Sequence, residues 1–280
     1  MPTLAIAEPT QQAQTKGPFW LTAFVLWVLA LCGELLVLPY VARLENKALA
    51  VAASRTHLEV RQLLAISVAH SAVLFGIAAV GGLWAAWKLG LGTPLIAALL
   101  TRRSAPEKTL STLFIAFALG IVTALVLMML DQWFFVPIPS VALLIHNAET
   151  GGAKPSAWQG LLASFYGATS EEILLRLGVL SVFALAFRTM ARRMRGANCE
   201  LALPTGVFWA ANFAAALLFG LGHLPATAAL APLSAALIIR AIVLNGMAGI
   251  VFGALYRRYG LEWAMASHFG VDIVAHVALG

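Results

Sequence analysis

Charge is what this sequence has least of. Only 11% of its 280 residues are charged, against 61% hydrophobic. Soluble globular domains run about 25% charged and about 45–50% apolar. The apolar excess is more than a buried core can absorb, which excludes a soluble domain. Cysteine is nearly absent too. Cys32 lies inside an apolar run, Cys199 in a basic loop, and no Cys-x-x-Cys pair occurs. Neither a disulfide framework nor a thiolate metal site is indicated. The roughly 10-residue alternating segments of a transmembrane β-barrel are missing. So are a Gly-x-Ser-x-Gly nucleophile elbow and a His-Glu-x-x-His zinc motif. The net charge of +6 does not imply nucleic acid, because no basic stripe alternates with exposed aromatics. The first 16 residues lack the basic start and cleavage pattern of a signal peptide and read as a disordered tail.

What the chain does contain is long, nearly uncharged runs, at roughly 18–41, 64–88, 110–135, 158–187, 204–226, 232–256 and 262–279. Each is near the ~20 residues that cross a bilayer core. The expected fold is therefore all-α, a polytopic transmembrane helix bundle of about seven spans in the lipid bilayer. A three-span region (17–157) would precede a core built from the later four (158–280). The stretch LGTPLIAALL (90–99) is too short to span and is expected at the interface. No internal repeat is visible, and nearly all polar intramembrane groups fall in the second half, unlike a two-repeat transporter.

The loop charges suggest an orientation. Lys88, Arg102, Arg103 and Lys108 follow the second run. Arg188, Arg192, Arg193 and Arg195 follow the fourth, and Arg257 and Arg258 the sixth. The positive-inside rule puts these loops in the cytoplasm, with the N-terminus inside and the C-terminus outside. The segment 42–63 runs against this pattern, with Arg43, Lys47, Arg55 and Arg61. It also reads as an amphipathic surface helix. An integral, multi-pass protein of a bacterial inner membrane is expected.

Ionisable residues inside spans cost at least ~2.5–3.5 kcal/mol each on insertion scales and are functional candidates by default. Three clusters occur on three runs. The first is Glu171-Glu172-x-x-x-Arg176. Glu172 and Arg176 are four apart and share a helix face, so Arg176 can neutralise Glu172. Glu171 is rotated by about 100°, points elsewhere, and has no partner on its own helix. The second is Phe219-Gly220-Leu221-Gly222-His223, whose glycines would let a backbone or a substrate approach closely. The third is His268, Asp272 and His276, repeating every four residues on one face. Here Asp272 can set a histidine tautomer, and His276 reads as structural. Glu34, His70, Arg240 and Asn245 lack partners at helical spacing and read as satisfied packing residues. Asp131, near a span end, reads as solvated. Gly249-x-x-x-Gly253 reads as a helix-packing motif.

If the clusters meet, Glu171, His223, His268 and Asp272 converge on one polar cavity. A glutamate beside a histidine can activate water as a general base, and a second histidine can stabilise an oxyanion. That suits amide hydrolysis. Two histidines and a carboxylate could also hold zinc; the set would be Glu171, His223 and His268.

In this order on successive apolar runs, Glu-Glu-x-x-x-Arg, Phe-x-x-x-His and His-x-x-x-Asp resemble the CAAX-protease and bacteriocin-processing family, also called the abortive-infection or CPBP family. The stretch GIVFGALYRRYGLEWAMASHFGVD strengthens the resemblance, which covers roughly 158–276. It implies an intramembrane endopeptidase acting on a membrane-anchored protein or peptide. By this resemblance, Glu171 and His223 hold and activate the attacking water, and His268 with Asp272 forms the oxyanion site. Glu172 and Arg176 brace the first motif, and Phe219 supports the second. The Ras-converting member ends its third motif in Asn; here the residue is Asp272. An ionised Asp would repel an oxyanion, so His268 is the firmer assignment. The family's glutamate-type, metal-free chemistry is expected here, with zinc as the alternative. Two rival readings are a non-catalytic membrane scaffold derived from the family and a proton-coupled transporter.

Overall fold

The protein is described by a computed structural model covering residues 16–105, 108–150, 154–195 and 203–278. Residues 1–15 of the expected tail, and Cys199, lie outside that description. Every regular element among the described residues is helical.

Helix α1 (Phe19–Leu44) leads into a short helix α2 (Asn46–Thr56) with no buried residue. Then come α3 (Val60–Leu89), the short α4 (Pro94–Leu100), α5 (Thr109–Phe135) and α6 (Pro139–Thr150). Helix α7 (Ala157–Met194) is followed by α8 (Thr205–Gly222), α9 (Leu224–Leu230) and α10 (Ala235–Arg258). Helix α11 runs over Leu261–Asp272 and continues through Ile273–Ala278. Six stretches are long and apolar enough to cross a membrane: α1, α3, α5, α7, α8 with α9, and α10. Helix α11 is not among them, because Glu262, His268, Asp272 and His276 lower its hydropathy. It is instead held inside the bundle, with Leu261, Ala264, Ser267 and His268 all buried.

Local chemistry sets the helix starts. Glu59 and Gln62 form a capping box at the start of α3, and Ser156 and Gln159 form one at α7. Each satisfies amides that the helix itself cannot. Gln159 also donates through Nε2 to the Pro39 carbonyl at 2.9 Å, tying the start of α7 to the end of α1. Pro94 opens α4, where its missing N–H is harmless. The Leu95 and Ile96 amides donate to Oε1 of Glu262, both at 2.9 Å. A carboxylate at a helix start is favourable, so Glu262 locks the start of α11 onto α4. The stretch 90–99 is thus a docked helix, with Ala97 and Ala98 buried.

Small residues let α11 sit close to its neighbours. Gly120 of α5 faces the Ser267 backbone, and Gly160 of α7 faces the His276 carbonyl. A methyl group at either position would collide with main chain, which cannot swing aside. Helix α11 is therefore clamped between α5 and α7. The Gly249-x-x-x-Gly253 motif packs as expected: Gly249 lies against Phe219 and Ala216, and Gly253 against Asn212.

Two sequence expectations need correction. Asp131 is not simply solvated. It receives the Arg240 guanidinium through Nε at 2.7 Å and Nη2 at 2.6 Å. Arg240 therefore has a partner on α5, where helical spacing along α10 could not reveal one. Gly220 and Gly222 also do different things. Gly220 meets the backbone at Ile242, whereas nothing lies within 4 Å of a side chain placed at Gly222.

Candidate active site

The first and third clusters converge and Phe219 of the second joins them, whereas His223 is not in direct contact with Glu171, His268 or Asp272 among the described residues. Helix α7 explains how the first cluster is presented. Residues Gly167–Glu171 and Ile173–Leu180 run as π turns, with hydrogen bonds to the fifth residue. Such turns are rare and frequent at functional sites. Gly167 leaves room for the facing helix. A methyl there would overlap the Asp272 carboxylate and come within 2.9 Å of His268 Nε2.

His268 is the hub. Its Nδ1 is 2.9 Å from Glu172 Oε1, in a buried hydrogen bond. With Glu172 ionised, Nδ1 carries the proton, because a carboxylate only accepts. The opposite edge of the ring faces two more acids. Nε2 lies 3.6 Å from Glu171 Oε2 and 3.6 Å from Asp272 Oδ1. Glu171 and Glu172 thus face opposite edges of one imidazole. An imidazole has nitrogens on two edges, and the widened turns let neighbouring acids reach both. Glu171 still has no charged partner on its own helix, as the spacing implied.

The two glutamates differ in access. The Glu172 side chain is fully enclosed, and Glu171 retains 19% exposure. Arg176 pairs with Glu172 through Nε at 3.4 Å, an ion pair that is too long for a hydrogen bond. Its guanidinium is buried, and none of its three nitrogens is hydrogen-bonded among the described residues. Two aromatic faces take that role. The guanidinium carbon lies 4.7 Å from the Phe219 ring centroid and 5.3 Å from that of Phe252. Cation–π contacts of this kind are worth about 2 kcal/mol or more when desolvated. Phe252 also stacks on His268, with centroids 4.5 Å apart and planes 18° from parallel. The same ring thus orients the imidazole and covers the arginine.

His223 stands one ring away. Its Nδ1 is 2.8 Å from the Phe219 carbonyl, and its ring meets Phe219 edge-on at 4.8 Å. Phe219 in turn meets His268 edge-on at 5.6 Å. Among the described residues His223 makes no hydrogen bond or ion pair with Glu171, His268 or Asp272. It borders a separate cavity of about 190 Å³ with Leu144, Thr227, Arg240 and Asn245. Further along α11, His276 Nε2 is 3.9 Å from Asp272 Oδ1, and its Nδ1 is 3.1 Å from the Tyr40 hydroxyl. His276 is thus held by α1, in keeping with a structural role.

Of the weaker candidates, Glu34 accepts from Ser71 at 3.0 Å and lies within electrostatic range of Glu171. Asn245 donates to the Ala241 carbonyl at 2.9 Å. His70 is exposed. Tyr40 and Phe252 were not recognisable as site residues, since each lies on a helix without a charged motif.

The donor set does not fit a metal as arranged. Among the described residues no three His, Cys, Asp or Glu side chains are grouped to hold an ion. Among the described residues His223 is linked to His268 only through the Phe219 ring, which both imidazoles meet edge-on.

Residues 153–274 match the family model described as Rce1-like, type II CAAX prenyl endopeptidase. That interval holds all three motifs and supports the resemblance they carry. No curated protein and no solved structure matches the chain. The six apolar helices and this match support an integral, multi-pass helical membrane protein similar to the CAAX protease family.

Proposed function

We propose that the protein is an intramembrane endopeptidase that cleaves a membrane-anchored protein or peptide with water activated by Glu171. The observation that carries this reading is the His268 imidazole, held on Nδ1 by buried Glu172 and faced on Nε2 by the more accessible Glu171. A second catalytic carboxylate beside an oriented imidazole suits general-base chemistry on water.

In this mechanism Glu171 accepts a proton as the water oxygen bonds to the scissile carbonyl carbon. The carbonyl π electrons move to oxygen, and the oxyanion is stabilised by a proton on His268 Nε2. Collapse of the tetrahedral intermediate breaks the C–N bond, and Glu171 returns its proton to the leaving amine. Glu172 fixes the tautomer and orientation of His268, and Arg176 balances the charge of Glu172. Asp272 favours the protonated form of His268 and positions its ring; a carboxylate beside the oxyanion would not serve as its donor. His223 contributes from the cavity side of Phe219 once substrate and water fill the intervening space.

Two consequences separate this reading from its rivals. A proton-coupled transporter or a scaffold would leave peptide bonds intact. Purified protein in detergent should hydrolyse members of a quenched fluorogenic peptide library, and Glu171→Gln should remove that activity while leaving the thermal unfolding midpoint unchanged. Retained hydrolysis in Glu171→Gln would remove Glu171 from the mechanism. A chelator arm reports on zinc: the metal-free mechanism keeps its activity in chelator.

A further inference from the structure

The connector between the first two spans breaks the charge pattern of its end of the bundle. Residues 42–63 carry Arg43, Lys47, Arg55 and Arg61, while the other connectors at that end, 137–157 and 227–231, carry only Lys154. Arg61 is accounted for, because it pairs with Glu59 at 2.5 Å. Lys47 and Arg55 are not. Both lie on α2, which contains no acidic residue. Among the described residues neither side chain has a hydrogen bond or an ion pair, and Glu45, just before the helix, pairs with neither.

Both cations border one recess. Lys47, Val51 and Arg55 follow at four-residue steps and share a face of α2. Together with Ala52 they line one side of a cavity of about 520 Å³, and Ala228 and Ala229 of α9 line the other. Its floor is apolar, it has a cation toward each end, and no carboxylate lines it. The two cations are eight residues apart, about 12 Å along the helix axis. Their long side chains can therefore close on one anion from opposite sides.

Connectivity sets the depth of this recess. Helix α1 has 26 residues, about 39 Å of helix, which crosses a hydrocarbon core of about 30 Å and reaches past it. Helix α2 follows α1 after Glu45 alone, and residues 57–59 join it to the next span. It is thereby confined to the membrane surface, whichever leaflet that is.

We infer that the recess between α2 and α9 binds the headgroup of an anionic phospholipid. The phosphate diester is held between Lys47 and Arg55 by charge-assisted hydrogen bonds. The glycerol and the first methylenes lie on Val51, Ala52 and the α9 alanines. A zwitterionic lipid brings its own ammonium group, and the recess has no carboxylate to receive it. The site therefore selects for net negative charge, and the two cations that run against the loop pattern acquire a ligand.

The test uses delipidated full-length protein in a neutral detergent. It is titrated with phosphatidylglycerol and with phosphatidylcholine of the same acyl chains, and bound lipid is counted by native mass spectrometry. Two cations at a membrane surface are worth roughly 30-fold together. The first phosphatidylglycerol should therefore bind at least about 10-fold more tightly than phosphatidylcholine. Lys47→Gln/Arg55→Gln should remove that preference at an unchanged unfolding midpoint. Ala228→Trp, which fills the recess without altering charge, should also remove it. Arg102→Gln/Arg103→Gln, at two exposed cations of the other end, should leave it intact. Equal binding of the two lipids by wild type would overturn the inference. So would an equal loss in both charge variants, which marks general surface electrostatics, or full preference in Ala228→Trp, which places the lipid elsewhere. Displacement of phosphatidylglycerol by millimolar inorganic phosphate would overturn the lipid as occupant.

Discussion

Gly167→Ala probes the convergence of α7 and α11 with a single methyl group. That methyl would overlap the Asp272 carboxylate and come 2.9 Å from His268 Nε2. Relief requires Asp272 to rotate away or α11 to shift by roughly 1 Å. Overpacking of this kind costs about 1–3 kcal/mol, of which alanine's helix preference over glycine returns about 0.5–1 kcal/mol. The net loss of about 0–2.5 kcal/mol converts to a few degrees of Tm, at about 2–4 °C per kcal/mol for mid-sized chains. Catalysis should suffer more, because a misplacement of about 1 Å can cost roughly 10²-fold. The assay pairs fluorogenic peptide hydrolysis with thermal unfolding in the same detergent. Gly81→Ala serves as the control, since nothing lies within 4 Å of its added carbon. The expected result is a loss of about two orders of magnitude in kcat/KM for Gly167→Ala, with a folded protein and an unaffected control. Full activity in folded Gly167→Ala would refute the reasoning, because Asp272 and His268 could then move without consequence.

Three further substitutions test separate parts of the account. Arg176→Leu should destabilise the fold by about 3–5 kcal/mol by removing the buried cation beside Glu172 and leaving its charge to His268 alone; the additional change Glu172→Leu should restore much of that loss in thermal unfolding, without activity. Asp272→Asn should retain at least about a tenth of wild-type hydrolysis, since an amide of the same shape keeps the His268 ring in place, whereas Asp272→Ala should retain far less; equal loss in both would tie catalysis to the charge itself. A double-mutant cycle of Asp131→Asn and Arg240→Gln should give a coupling of about 1.5–3 kcal/mol, the range for hydrogen bonds to charged groups, and additive losses would show that the bidentate pair contributes little.

Much of this site was legible because membrane insertion penalises ionisable groups so heavily. Glu171, Glu172, Arg176, His268 and Asp272 stood out against apolar runs, and four-residue spacing correctly paired Glu172 with Arg176 and His268 with Asp272. Spacing speaks only along one helix, however. It could not show that Glu172 bonds His268, 96 residues away, nor that Arg240 meets Asp131 across two helices. The π turns at Gly167–Glu171 and Ile173–Leu180 likewise leave no clear signature in composition. Phe252 carried no signal of its own in the sequence, although it covers both Arg176 and His268. The spans themselves were easier. Runs of about 20 apolar residues leave a bilayer few alternatives to helix, and α11 was the exception in apolarity because it carries the third motif.

The central claim is that Glu171 activates water for peptide hydrolysis. The most direct test is single-site cleavage of a peptide in water enriched in oxygen-18, read by mass spectrometry, with purified wild type beside Glu171→Gln. The account predicts one heavy oxygen in the new carboxyl terminus for wild type. It predicts no cleavage above background for a Glu171→Gln protein with an unchanged unfolding midpoint. Equal cleavage by the two proteins would contradict it.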